Sequence, residues 1–368
     1  MISACSVTFS AQLAAEETLT AEIKTYWDIR YSPSPELQEG KSGLADLYVP
    51  ILADDVVGPA ENLEVQGSDT ASASAGPIAP PEDPLPTDET PDQPAYEPAA
   101  ETAAEQQKPV VAGAASCPIS VTGKLRPALV LVHGGGWLVG DKWSLGSYSR
   151  QLSELGICVL NINYRLAPYS KFPAPVDDVR EALLYLVDHA EQLSIDRERI
   201  GLFGYSAGGH LSALVGVMCD EPGEVQATSS DWELDDPRWQ RLPKVAAVCA
   251  GGPPCDLREI PIDSEALSFF LRGSRRKFPD AYVAASPTAH ASPGDPPTQL
   301  IHGEKDMIVP IESSQQFAGA LKDAGASVAL TVVENQGHFM TFMHPSTQTQ
   351  VRAFFAEQLL QLAPQTAR

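Results

Sequence analysis

The segment Gly204-Tyr205-Ser206-Ala207-Gly208 constrains this chain more than any other. It follows the short apolar run Ile200-Gly201-Leu202-Phe203. It precedes a helical pattern with apolar residues at Leu211, Leu214, Val215 and Met218. The order is therefore strand, tight turn, helix. Such a turn is sharp enough that glycines must flank the serine, because a Cβ there would collide with the neighbouring strand or helix. The hydroxyl is left exposed above a sheet, at a helix N-terminus that favours developing negative charge. Ser206 is thus a candidate nucleophile, the plainer alternative being a structural turn.

A second strand-to-glycine element strengthens the nucleophile. His133-Gly134-Gly135-Gly136-Trp137 ends the apolar run Ala128-Leu129-Val130-Leu131-Val132. Attack on a carbonyl creates an oxyanion, and backbone N–H groups must already point at it. Three consecutive glycines let a backbone approach a substrate that closely, and such donors are worth about 3–4 kcal/mol each in acyl transfer. Read alone, the same residues are a flexible loop after a strand.

A base and an acid are expected downstream, in the chain order Ser, Asp, His. Of the seven histidines, His133 belongs to the glycine loop, His189 ends a charged helix and His210 lies in the helix after the serine. His302 precedes a glycine at a strand end, and His290 falls in a Pro/Ser/Ala stretch. His338 and His344 remain. His338 follows the strand Val328–Val333 and the loop Glu334-Asn335-Gln336-Gly337, which places an imidazole above the sheet edge and makes it the preferred base. Asp306, after the strand Thr298–His302, is the preferred acid, with Glu304 and Asp256 as rivals.

These stretches resemble the α/β-hydrolases of the esterase/lipase branch, close to the hormone-sensitive-lipase-like and the feruloyl esterase/deacetylase-like (BD-FAE-like) carboxylesterases. The resemblance runs from about residue 125 to 365. It rests on the glycine loop, Asn163-Tyr164-Arg165-Leu166-Ala167-Pro168, and Phe172-Pro173-Ala174-Pro175 with Asp177-Asp178. It rests further on Gly204–His210, His302-Gly303-Glu304-Lys305-Asp306 with Val309-Pro310, and Gly337-His338. It implies carboxylic-ester hydrolysis by Ser206, His338 and Asp306, with an oxyanion hole from the N–H groups of Ala207 and of Gly135 or Gly136. It also implies that the Tyr164-Arg165 and Asp177 region supports the glycine loop. No metal or organic cofactor is implied. The substrate is a small-molecule or carbohydrate ester, short-chain acyl, acetyl or feruloyl.

The rest of the pattern alternates strand and helix, which argues for an α/β fold with a mostly parallel central sheet and helices on both faces. Gly156–Tyr164 reads as a buried strand; 175–189, 314–324 and 347–362 read as helices. Tyr26–Tyr31 and Leu44–Val49 read as a first hairpin. Two inserted stretches, 220–242 and 256–287, are expected to roof the site, their aromatics offering an acyl or aryl pocket.

Charge is unevenly distributed. The net charge is −23, of which residues 51–110 contribute −12 through thirteen acids against Lys108. From Asp54 to Ser116 the chain is rich in Pro, Ala, Glu, Asp and Thr and poor in large apolar residues, so it cannot bury enough surface to offset ordering. The expected organisation is therefore an N-terminal segment 1–20 with weak signal-peptide character, a single catalytic domain over 21–53 and 117–368, and a disordered acidic insertion over 54–116. The weak leader leaves cytoplasmic and secreted or periplasmic locations equally open. No basic footprint suggests nucleic acid, and no apolar stretch is long enough for stable membrane insertion. The six cysteines show no C-x-x-C pair, and only Cys249 and Cys255 are close enough for a local disulfide. Oligomeric state is not legible. Two other classes share the motifs: a dipeptidyl-peptidase-like serine peptidase, which usually adds a propeller, and a non-catalytic binding protein, which usually loses the serine or histidine.

Overall fold

Successive residues of the central strands enter two different cores. In β5 (Arg126–Val132), Ala128, Val130 and Val132 join one apolar cluster while Leu129 and Leu131 join another. In β8 (Ala247–Gly251), Val248 and Ala250 share the first cluster, and Ala247 and Cys249 the second. Side chains alternate across a strand, so a strand apolar at every position must be covered on both faces. The first face is covered by α2 (Ala174–Asp188), α3 (Ala207–Met218) and α7 (Glu312–Ala324), through residues such as Val179, Leu214 and Phe317. The second is covered by α1 (Gly146–Ser153) and α9 (Pro345–Leu360), through Leu152, Val351 and Phe355. Phe355 is fully buried against Phe203, and its truncation to alanine is expected to cost about 3–5 kcal/mol.

A computed structural model describes residues 22–59 and 117–360. Its main sheet has eight strands in the order β1-β2-β6-β5-β7-β8-β9-β10. Besides β5 and β8 these are β1 (Glu22–Arg30), β2 (Leu44–Ile51), β6 (Cys158–Ile162), β7 (Ile195–Tyr205), β9 (Thr298–Gly303) and β10 (Val328–Val333). β1 and β2 form the expected antiparallel hairpin, and β2 also runs antiparallel to β6. All other neighbours are parallel. The expected α/β-hydrolase sheet with helices on both faces is what the chain adopts.

The acidic span begins later than its composition suggests. Asp54–Pro59 is ordered: β3 (Val56–Pro59) pairs antiparallel with β4 (Ile119–Thr122), from Val56 opposite Thr122 to Pro59 opposite Ile119. Asp55 also forms a buried ion pair with Arg126 at 2.8 Å, which ties this hairpin to the start of β5. The expected boundary at residue 54 is therefore corrected to one after Pro59. The remainder of the expected insertion, 60–116, and the N-terminal segment 1–20 lie outside the described residues, as does Cys5.

The inserted stretches part company. The first, containing α4 (Gly223–Gln226), docks on α2: Arg180 donates to Ser229 O at 2.6 Å and Asp177 accepts from Ser230 Oγ at 2.6 Å. Trp232 and Trp239 pack against each other and under Arg238 and Arg180, away from the serine. The expectation that this stretch roofs the site is not met. The second contains α5 (Ser268–Leu271) and α6 (Pro279–Ala284) and does reach it. Cys249 and Cys255 are both free, because they enter cores on opposite faces of the sheet. Among the described residues, no helix is long and apolar enough to cross a membrane, and no group of His, Cys, Asp and Glu is arranged to hold a metal.

Candidate active site

Ser206 sits where β7 turns into α3, with φ 55° and ψ −122°. A serine rarely adopts this conformation, and the packing around it leaves no alternative. A Cβ on Gly204 would meet Gly208 O at 2.2 Å, and one on Gly208 would meet Val132 O at 1.9 Å. The glycines flanking the serine are thus required by the close approach of α3 to β5 and β7. The Ser206 N–H donates to Gly251 O at 2.7 Å, fixing the turn against the end of β8. Every residue of α3 is buried, while Ser206 itself remains partly exposed.

The glycine loop lies directly beside this turn. A Cβ on Gly134 would come within 2.9 Å of Tyr205 O and 3.4 Å of the Ser206 Cβ. Gly135, Gly136 and Trp137 have positive φ values of 122°, 61° and 61°. The N–H groups of Gly135 and Gly136 make no backbone hydrogen bond among the described residues. Ala207 is the first residue of α3, where a helix leaves its N–H without an internal acceptor. Tyr164 braces this loop as expected: its OH donates to His133 O at 3.1 Å and its ring stacks on His133. Arg165 and Asp177 do not. Arg165 is clamped by Asp178 at 2.6 Å, and Asp177 is taken up by Arg180 and Ser230.

His338 opens α8 (His338–Met343), and Asp306 lies in the turn after β9. The structure brings these two together: His338 Nδ1 is 2.5 Å from Asp306 Oδ2, and both are buried. The other oxygen of Asp306 accepts from the N–H groups of Ile308 and Val309, each at 2.9 Å. The rivals are elsewhere. Asp256 pairs with Arg258 at 2.5 Å, Glu304 accepts from Asn335 N at 2.8 Å, and His344 bonds Ser346 on the surface. Ser206 and His338 are neighbours through Tyr205, whose OH donates to His338 O at 2.7 Å, and through Gly252, where a Cβ would lie 3.1 Å from His338 Cε1. No hydrogen bond joins Ser206 to His338 among the described residues.

Tyr205, His210 and His302 contact this constellation without having been singled out in the sequence. His210 accepts from Trp137 Nε1 at 3.3 Å and bonds Ala285 O at 2.7 Å, so it ties the glycine loop to α3. Burial pushes its pKa down to about 4 and holds it neutral. Burial likewise lowers His133 and His302. Each of these imidazoles is committed to partners that a linear sequence does not show.

A cavity of about 410 Å³ opens over Ser206. Gly136, Trp137 and Ala207 line one side. Pro254, Leu257, Ile260 and Leu267 line another, and Ile308, Val309 and Pro310 a third. Its walls are mostly aliphatic. The aromatics expected there go elsewhere: Phe270 is buried in a stack on Trp137 at 4.5 Å, Tyr282 is buried with its OH on Gly273 O, and Phe278 lines a separate cavity. An imidazole oriented at Nδ1 by a carboxylate, beside a strained serine and facing free backbone donors, can accept a proton and support attack on a carbonyl.

Comparison with known proteins agrees with this fold. A gut-microbiota carbohydrate esterase, truncated, superimposes over 94% of this chain and 99% of its own with a TM-score of 0.64, at 21% identity. An acetyl ester-xyloside bifunctional hydrolase from Caldicellulosiruptor lactoaceticus is 26% identical, with a TM-score of 0.54 over 64% of this chain and 84% of that one. Esterase LipC of Mycobacterium tuberculosis is 29% identical over 58% of this chain. The chain spans about half the length of the curated relatives it matches, 53% in the case of LipC. The model of the BD-FAE family matches residues 117–321, which carry the glycine loop, the serine turn and Asp306, and the chain therefore belongs to the BD-FAE family of α/β-hydrolases.

Proposed function

We propose that this protein is a serine carboxylic-ester hydrolase acting on short-chain acyl esters or on acetyl or feruloyl esters of carbohydrates. The observation that carries this is the 2.5 Å contact between His338 and Asp306, with His338 held by Tyr205 beside the turn that carries Ser206 into the cavity. Ser206 Oγ attacks the carbonyl carbon as its proton passes to His338 Nε2. The carbonyl oxygen, now an anion, is held by the N–H groups of Ala207 and of Gly135 or Gly136. Collapse of this intermediate expels the alcohol, which takes the proton back from His338 and leaves an acyl-Ser206 ester. Water, deprotonated by His338, then releases the acid and restores the serine. Asp306 holds the proton on Nδ1 throughout and stabilises the imidazolium. Hydrogen bonds of this kind are often loose before substrate binds and tighten in the complex, so the open Ser206–His338 pair is compatible with these roles.

The substrate range is supported by the cavity and by the names of relatives. Aliphatic walls suit an acyl chain, and the relatives include an esterase and an acetyl ester hydrolase. Amides need stronger protonation of the leaving group than esters, which favours esters at a site where His338 is the proposed acid. The test is kcat/KM across acetyl, butyryl, octanoyl and feruloyl esters plus an aminoacyl amide. A maximum among the acetyl and butyryl esters is expected. A maximum at octanoyl, or robust amide cleavage, would overturn the assigned range.

A further inference from the structure

His302 lies on β9, four residues before Asp306, and is fully buried. Its Nε2 is 2.9 Å from Val309 O and 3.4 Å from Asp306 Oδ2. Its Nδ1 is 2.7 Å from Ser314 Oγ on α7. The two oxygens facing Nε2, a carbonyl and a carboxylate, can only accept. Nε2 therefore carries the ring proton, and Nδ1 accepts from the Ser314 hydroxyl. Burial keeps the imidazole neutral and so preserves this tautomer.

The consequence falls on Asp306. Val309 is held twice: its N–H donates to Asp306 Oδ1 at 2.9 Å and its carbonyl accepts from His302. Asp306 Oδ2, the oxygen that bonds His338, also faces the His302 Nε2–H. We propose that His302 is a positioning residue for Asp306: its Nε2–H, fixed by Ser314 and Val309, aims the carboxylate at His338 and draws part of the carboxylate's charge to itself. This rests on the roles proposed above for Asp306 and His338.

The sign of the effect follows. Asp306 faces His302, His338 and Glu312 act on it electrostatically, and Tyr205 packs against His338. Without the Nε2–H, more of the Asp306 charge acts on His338. The imidazolium is then held more tightly. Activity requires neutral His338, so the acid limb of kcat/KM moves to higher pH. A residue that only fills space would change stability and leave the limb in place.

The experiment records pH profiles of kcat/KM on p-nitrophenyl butyrate for the parent, His302→Leu, His302→Gln, Ser314→Ala and Asp306→Asn. In His302→Leu the acid limb is expected to rise by about half a pH unit. Its kcat should fall about tenfold at unchanged KM, because a misaimed carboxylate degrades the transition state more than substrate binding. His302→Gln, which keeps a donor near the Nε2 position, should return the limb to the parental pH. Ser314→Ala should shift it in the same direction by less, and it carries the test if His302→Leu does not fold. Limbs in His302→Leu and Ser314→Ala that superimpose on the parent, while Asp306→Asn loses activity, would overturn this inference alone. Parental activity in Asp306→Asn would overturn the roles of Asp306 and His338, and this inference with them.

Discussion

The floor and the roof of the cavity over Ser206 are built by different means. The floor is backbone: a serine with φ 55°, a glycine loop at positive φ, and glycines whose Cβ atoms would overlap carbonyl oxygens by an ångström or more. Its glycines cannot be replaced without disrupting the junction of β5, β7 and α3. The roof is side chain: Leu257, Ile260 and Leu267 from a stretch of short helical turns, facing Ile308 and Val309. Ile260 and Leu267 are only half-buried and make apolar contacts, which tolerate replacement by other apolar groups. The contrast teaches that chemistry and selectivity are separable here. Substitutions in the floor should abolish turnover, and substitutions in the roof should redistribute it among substrates.

The largest effect is expected at His338. His338→Ala leaves the Ser206 proton without an acceptor, and kcat should fall on the order of a million-fold, as for loss of a nucleophile. Circular dichroism should show the fold intact, and full activity would transfer the role to His344. Asp306→Asn comes next. It keeps the shape of the acid but favours the wrong imidazole tautomer, so kcat should fall about ten-thousand-fold. Asp256→Asn is the control. Asp256 lies on the roof and pairs with Arg258, so kcat should stay within about threefold of the parent. A greater loss in Asp256→Asn than in Asp306→Asn would exchange their roles.

The roof should respond in kind but not in degree. The pair Ile260→Ala and Leu267→Ala enlarges the cavity. It should raise the octanoyl-to-butyryl ratio of kcat/KM about tenfold, the usual worth of a few methylene contacts. An unchanged ratio with a uniform loss of kcat would show that the roof positions the floor and that the two are not separable. The smallest effect is expected on excising the acidic span. Pro59 and Ile119 are opposed in register, so a short Gly/Ser linker can replace residues 61–115. Loop closure costs little with length, and kcat should stay within a few-fold. Collapse of the fold on excision would show that this span contributes packing.

The same contrast explains what was legible in the sequence. Floor residues announce themselves because strained turns demand glycine at fixed offsets. Ser206 and the glycine loop were readable for that reason, and the strand–helix alternation gave the sheet. The placement of His338 followed from its position after a strand. Asp306 is preferred to Asp256 in the sequence from its place after the strand Thr298–His302, and the fold then decides where each carboxylate points. The roof gave no such signal. The aromatics of 256–287 suggested an aryl pocket, yet Phe270 and Tyr282 are consumed by packing, because large rings bury more area in a core than at a cavity wall. β3 was missed because four residues pair with a partner sixty positions away, and no local periodicity records that pairing. His302 and His210 looked like ordinary strand and helix residues, since their roles depend on oxygens and nitrogens supplied by other elements.

The most direct measurement is covalent. A fluorophosphonate probe reacts with a serine only when a base activates it and donors hold the resulting anion, so it tests the whole floor in one step. Labelling of the parent should map by mass spectrometry to the peptide carrying Ser206. Ser206→Ala should remain folded, take no label and lose turnover on the order of a million-fold. Labelling at a different serine, or a Ser206→Ala protein that still hydrolyses butyryl esters within about tenfold of the parent, would contradict the account.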